Sequence, residues 1–284
     1  MDIELADELT AEIPLLDGLS ETAEVLFTVH EGRKIAWRRW GNGPAVVLLH
    51  GASGSWRHWV RNIAFFSGER TVLTPDLPGF GDSDEPDYPA SMDLMGEGLA
   101  SGLDRILPHG ERYDLVAFSY GGSMASQLLL RHKDRQRSVT LPAAAGLAET
   151  RVPPMLSVRG KTGRDLLEAH RVNLANIMIA KPECIDALAL RIQHENTVNA
   201  RLKVRNLQRG PGLKETLDGF KGNVAAIWGE GDTFLYPGAL EERKSTLLAL
   251  QPNATIQTIP QTGHWLAYEA AEIFNEYLRA NLER

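Results

Sequence analysis

Residues 45–49 read Ala-Val-Val-Leu-Leu, five apolar residues with no polar interruption, and they run into His50-Gly51. A strand that is apolar at every position has no solvent face, so it belongs inside a sheet covered on both sides. From there the pattern alternates. It predicts strands at 71–75, 113–118, 138–142, 224–228 and 255–259, and helices at 94–107, 120–132, 239–250 and 265–282. Strands separated by helices are joined by crossovers, which gives a parallel sheet with helices on both faces. Ahead of the apolar run, residues 25–30 and 34–40 are β-prone around Glu31-Gly32 and read as a hairpin. The expected fold class is α/β, a mostly parallel central sheet flanked by helices, with an inserted helical cap.

That insertion is where the alternation stops, between about Leu147 and Gly222. The pattern there is helical, first over 165–180 and then from Pro182 to about Asn206, with Pro182 suited to the first turn of a new helix. The chain divides into a core of residues 1–146 and 223–284 and a cap of residues 147–222. Residues 1–23 are acidic and weakly periodic, an N-terminal arm or an early helix. Residues 151–221 hold 13 Lys+Arg against 7 Asp+Glu, while the 284-residue chain carries a net charge of −7, so a basic cap sits on an acidic core.

The acidic balance gives nucleic acid no overall attraction. Cys184 is the only cysteine, which excludes an intramolecular disulfide and a CxxC redox pair. The start Met1-Asp2-Ile3-Glu4 is acidic where a secretory signal is basic, and no 18-residue apolar run exists. The expectation is a cytoplasmic protein without a membrane span, acting on a small molecule, with homo-oligomerisation left open. No HExxH or paired Cys/His spacing is present. Gly41-Asn42-Gly43-Pro44 and Gly51-Ala52-Ser53-Gly54 complete neither a dinucleotide nor a P-loop fingerprint. No metal and no cofactor is expected.

The segment Ala117-Phe118-Ser119-Tyr120-Gly121-Gly122 joins a predicted strand to a predicted helix. A serine on so tight a turn projects its hydroxyl above the sheet, and the helix end behind it favours developing negative charge. By itself the serine could equally cap the helix. His50-Gly51-Ala52 follows an earlier strand and can aim a backbone N–H at the same point, so the amides of Ala52 and Tyr120 are the candidate oxyanion donors. The His50 side chain itself reads as a structural turn residue. Asp232 follows the strand at 224–228, and His264 follows the strand at 255–259. Serine, then acid, then histidine, each after a strand, is an order in which His264 takes the Ser119 proton and Asp232 fixes its tautomer. Glu230 is the fallback acid.

With these residues the chain resembles the α/β-hydrolase fold family from about Val25 to the C-terminus. The loop Asp76-Leu77-Pro78-Gly79-Phe80-Gly81-Asp82-Ser83 is similar too, its aspartates read as turn braces. Ala117 stands where the family usually has the first glycine of G-x-S-x-G. Ser119 sets the chain apart from branches that use an aspartate nucleophile. Gly263-His264-Trp265 with Tyr268-Glu269 resembles the ending of carbon–carbon bond hydrolases that cleave ring-fission products, whereas their Gly-Pro-Gly stretch is replaced here by Ala52-Ser53-Gly54.

Candidate substrate contacts are Trp56, Phe118, Trp265 and Arg205. Arg201, Arg205 and Arg209 recur every four residues and would share a helical face, either meeting an anionic substrate or forming a solvated surface. Met155 and Met178 are candidates for a pocket roof. The expected function is a serine hydrolase that cleaves a small-to-medium carboxylic ester through an acyl-enzyme. Carbon–carbon cleavage, lactone hydrolysis, acyl transfer and perhydrolysis fit the same triad. From another class, a ligand-binding receptor on this scaffold need not keep all three residues.

Overall fold

A computed structural model describes residues 6–284, apart from the side chain of Arg205. The Met1-Asp2-Ile3-Glu4 start lies outside the described residues. The apolar run forms β3 (Ala45–Leu49), and β5 (Tyr113–Ala117) lies beside it; both are buried at every position. They are central because every residue of each has a neighbour on both faces.

The hairpin forms as β1 (Glu24–His30) and β2 (Arg33–Trp40), turning at Glu31-Gly32. With β4 (Thr71–Pro75), β6 (Gln136–Pro142), β7 (Asn223–Gly229) and β8 (Thr255–Ile259) these make one eight-stranded sheet in the order β1-β2-β4-β3-β5-β6-β7-β8. The β1–β2 and β2–β4 pairs are antiparallel and the rest parallel. The parallel strands therefore share one C-terminal end, where α/β ligand sites form.

Residues 6–23 form two short helices, α1 (Asp7–Thr10) and α2 (Pro14–Thr22), which bury Leu9, Leu16 and Leu19. The Leu19 carbonyl accepts the indole N–H of Trp40 at 2.9 Å, so this stretch is fastened to the sheet rather than loose. After β3 a 3₁₀ turn at Trp56–Trp59 leads into α3 (Val60–Phe66). The main crossover helices are α4 (Met92–Ile106) and α5 (Tyr120–Arg131).

Between β6 and β7 the chain forms α6 (Gly163–Ile177), a 3₁₀ turn at Pro182–Cys184, α7 (Ala187–Val198), a second 3₁₀ turn at Val204–Asn206 and α8 (Leu213–Leu217). The expected helix from Pro182 to Asn206 is thus broken. The chain leaves α7 at Asn199 so that the amides of Arg201 and Leu202 can both reach the Gly79 carbonyl, at 2.9 and 3.2 Å, and Leu202 packs on Gly79. Arg201, Arg205 and Arg209 consequently do not share a helical face. Arg201 gives its guanidinium to the carbonyls of Gly81 and Ser83, and Arg209 is exposed in coil. The side chain of Arg205 lies outside the described residues.

The chain closes with α9 (Ala239–Leu250), α10 (Leu266–Glu269) and α11 (Ala271–Leu282). The single closing helix expected at 265–282 is interrupted at Ala270, which leaves helical geometry at φ −126° and ψ 47°. Among the described residues no helix is long and apolar enough to cross a membrane.

Candidate active site

The turn between β5 and α5 is set by its backbone. Ser119 adopts φ 52° and ψ −119°, a region that costs a non-glycine residue about 1–3 kcal/mol. The strain is held by hydrogen bonds to β3, to the first turn of α5 and to the loop after β6. The Phe118 amide donates to the Leu49 carbonyl at 3.0 Å, and the Ser119 carbonyl accepts from Gly122 and Ala145, each at 2.9 Å. Gly121 must be glycine, since a Cβ there would lie 2.7 Å from the Leu49 carbonyl oxygen and 2.9 Å from that of His50. Ala117, where a glycine is usual in the resembled family, is fully buried at the end of its strand, so the one extra methyl is accommodated there.

The Ser119 hydroxyl lies 2.9 Å from Nε2 of His264, whose Nδ1 lies 2.8 Å from Oδ2 of Asp232. The carboxylate can only accept, so Nδ1 carries the proton and Nε2 is left to accept from the serine. The other oxygen of Asp232 accepts the Phe234 amide at 2.9 Å. The turn that carries Asp232 is joined to the histidine loop, because the Gly231 amide donates to the Thr262 carbonyl at 2.8 Å. Asp232 and His264 are buried while Ser119 is partly open, and the rings of Phe118 and Phe234 flank the imidazole at 5.0 and 4.3 Å. The three side chains thus form a relay that can move a proton from the serine to the imidazole. Glu230 takes no part. It is exposed and accepts from the Thr258 hydroxyl at 2.9 Å.

The turn after β3 lies against the serine: a Cβ on Gly51 would be 3.2 Å from that of Ser119. Among the described residues neither the Ala52 nor the Tyr120 amide finds an acceptor in the chain. His50 is spent on structure. It accepts the Leu77 amide on Nε2 at 2.8 Å and donates from Nδ1 to the Gly51 carbonyl at 2.7 Å, and burial depresses its pKa.

His58 is a residue that the sequence reading missed. It is buried, its Nδ1 accepts the Gly51 amide at 3.3 Å, and its carbonyl accepts the indole N–H of Trp265 at 2.8 Å. Burial, with His50 and His264 nearby, holds its pKa well below the usual histidine value, so it stays a neutral acceptor. No local spacing marks it, and the close approach of Gly54 appears only in the fold. A Cβ at Gly54 would fall 2.3 Å from the His58 ring.

Asp76 braces the neighbouring loop, as its motif suggested. Buried completely, it accepts the Trp56 amide at 2.9 Å, the Asp82 amide at 3.0 Å and the Arg38 guanidinium at 3.1 Å.

Of the expected substrate contacts, Phe118 puts its ring beside the imidazole of His264, 5.0 Å away. Trp56 is fully buried 5.5 Å from Trp40, with the guanidiniums of Arg38 and Arg57 over its ring at 5.2 and 5.1 Å. Trp265 is buried and stacked 4.2 Å from Tyr268. Both are occupied by packing. Met155 is half exposed, whereas Met178 is buried and its carbonyl accepts the Trp265 amide at 2.7 Å. Among the described residues no three His, Cys, Asp or Glu side chains are grouped to hold a metal ion.

Residues 46–276 match the model of the alpha/beta hydrolase family. One relative, a 2-hydroxy-6-oxo-6-phenylhexa-2,4-dienoate hydrolase of Burkholderia cepacia, is 28% identical over 253 residues, covering 83% of this chain and 86% of that protein. An esterase of Rhodococcus sp. ECU1013 superposes with a TM-score of 0.73 at 18% identity, over 92% of this chain and 98% of the other. A meta-cleavage product hydrolase from Pseudomonas fluorescens IP01 superposes with a TM-score of 0.71 at 22% identity, over 89% and 95%. These two likenesses are of fold.

Proposed function

This chain belongs to the alpha/beta hydrolase family, and we propose that it is a serine hydrolase that cleaves a small-to-medium carboxylic ester. The observation that carries the reading is the hydrogen-bonded relay Ser119–His264–Asp232. Ser119 Oγ attacks the ester carbonyl while its proton passes to Nε2 of His264. The carbonyl oxygen becomes an oxyanion within reach of the Ala52 and Tyr120 amides, donors worth about 3–4 kcal/mol each when well placed. Collapse breaks the bond to the alcohol, which leaves with the proton from His264. Water then repeats the sequence on the acyl-enzyme and releases the acid. Asp232 stabilises the imidazolium in both halves. Residues 147–222 act as a cap that shields the site from water and limits substrate size.

A second reading has its own support. The Burkholderia cepacia relative is a hydrolase of a phenylhexa-2,4-dienoate, and Gly263-His264-Trp265 with Tyr268-Glu269 resembles the ending of carbon–carbon bond hydrolases. Hydrolysis of p-nitrophenyl esters from acetyl to decanoyl, beside a ring-fission dienoate, separates the two. Preferential ester turnover that falls about 10⁴-fold in Ser119→Ala supports the first. Dienoate cleavage with inert esters replaces it with the second. Failure to turn over either substrate or to take a serine-directed phosphonate leaves a binding protein on this scaffold.

A further inference from the structure

The loop that carries His264 is held from both sides by groups outside it. On one side the Trp265 amide donates to the Met178 carbonyl at 2.7 Å. On the other, the Gly263 amide donates to the Glu269 carboxylate at 2.7 Å. That same carboxylate accepts the Lys181 amide at 2.7 Å and the Ala180 amide at 3.1 Å. Glu269 is buried, so three charge-assisted bonds in a dry setting hold it in one place. Met178, Ala180 and Lys181 all lie in the stretch between α6 and α7. The histidine loop and the inserted segment meet too closely for a side chain at Gly263, where a Cβ would fall 2.7 Å from the Ala180 nitrogen and 2.8 Å from the Met178 oxygen.

We propose that Glu269 is a positioning residue that registers His264 against residues 178–181, so that the seating of the inserted segment sets the reach of the imidazole toward Ser119. The inference rests on the serine-hydrolase reading. Its physical basis is that, among the described residues, the Glu269 carboxylate bonds the amides of Gly263, Ala180 and Lys181 and makes no hydrogen bond to His264. It fixes the residue before the histidine, while the Met178 carbonyl fixes the residue after it. Loosening either hold lets the imidazole drift from the 2.9 Å contact with Ser119, and a displacement of about 1 Å costs about 100-fold in rate.

The test compares Glu269→Gln, Glu269→Asp and Gly263→Ala with Glu276→Gln, an exposed carboxylate on α11. Gly263→Ala forces the segment away from the loop and crowds the Glu269 carboxylate, whose Oε2 would lie 3.0 Å from the new Cβ, while keeping the acid itself, so it decides the matter if the Glu269 variants do not fold. Two readouts are needed: the acylation rate constant with p-nitrophenyl acetate per phosphonate-titrated serine, and the low-field proton resonance of His264 Nδ1. We expect Glu269→Gln and Gly263→Ala to lower the rate per serine about 10- to 100-fold at a KM within about threefold of wild type. The low-field proton should shift or broaden in both, Glu269→Asp should recover part of each effect, and Glu276→Gln should change neither. An unchanged rate and an unchanged proton signal, with only a lower Tm, would overturn the proposal and leave Glu269 a staple of the fold. A wild-type protein that is neither labelled nor active defeats the serine-hydrolase reading instead, and the proton signal alone then decides whether Glu269 sets the histidine.

Discussion

Ser119 Oγ and His264 Nε2 stand 2.9 Å apart although 145 residues separate them in the chain. Nothing local brings them together. Ser119 follows β5 and His264 follows β8, so their meeting depends on three strand pairings across the sheet, β5 to β6, β6 to β7 and β7 to β8. The same geometry makes the acid, the turn after β3 and the surrounding scaffold separately testable.

Asp232 and Glu230 are two residues apart, and only one meets the histidine. Asp232→Asn should lower kcat on the best ester by about 10⁴-fold, because the amide favours the wrong imidazole tautomer. Glu230→Gln should stay within about twofold, since an exposed side chain away from the imidazole contributes little to the relay. Steady-state kinetics on the two variants decides the assignment. A large loss in Glu230→Gln with none in Asp232→Asn reverses it.

His58 holds the Gly51 amide beside Ala52. His58→Leu removes that acceptor and should lower the acylation rate about 10-fold with little change in KM, because the donor turn loses its register. Pre-steady-state burst kinetics measures this. An unaltered burst rate in a folded variant shows that the turn holds without it.

Asp76 and Arg38 form a buried pair, with two backbone amides also on the carboxylate. Asp76→Ala leaves the buried guanidinium with only the half-exposed Asp82 and strands both amides, so the unfolding free energy should drop by about 3–5 kcal/mol. Urea denaturation of the two proteins gives the difference. A loss below about 1 kcal/mol is the cost of a surface pair and contradicts the burial argument.

His170 and His194 link α6 to α7 through a ring contact of 3.2 Å. Burial, then the neighbouring His194, pushes the pKa of His170 down to about 4. Between there and the unfolded value near 6.5 the unfolded chain binds more protons than the folded one, so stability rises with pH across the window and levels off above it. The share carried by His170, roughly 1–3 kcal/mol, is therefore present at pH 7 and lost as the pH falls toward 4. Urea midpoints from pH 4 to 7 should fall less steeply toward acid in His170→Leu than in wild type. Parallel slopes would show that His170 titrates normally in the fold.

Much of this was legible in the chain because it is local. The apolar run at Ala45–Leu49 and the strand-and-helix alternation after it report which segments are covered on both faces, and burial pattern is written residue by residue. Ser119, Asp232 and His264 were legible for a related reason. Each follows a strand, and parallel strands deliver their C-terminal turns to one edge. The arginine spacing misled because periodicity records only what a helix would do if it continued. Whether α7 continues past Val198 is decided by the carbonyls of Gly79, Gly81 and Ser83, which lie more than a hundred residues away.

The sequence by itself determined the alternation, the hairpin, the tight turn around Ser119 and the placing of Ser119, Asp232 and His264 each after a strand, since short-range sterics and hydrophobic period suffice for these. Only the tertiary structure decided that His58 props the Gly51 turn, that Trp56 and Trp265 are occupied in packing, and that Glu269 ties the histidine loop to residues 180 and 181. Each of these is a hydrogen bond or ring contact between segments distant in the chain. Such contacts depend on where the sheet and its crossovers place the backbone in space, and no spacing along the sequence encodes that distance.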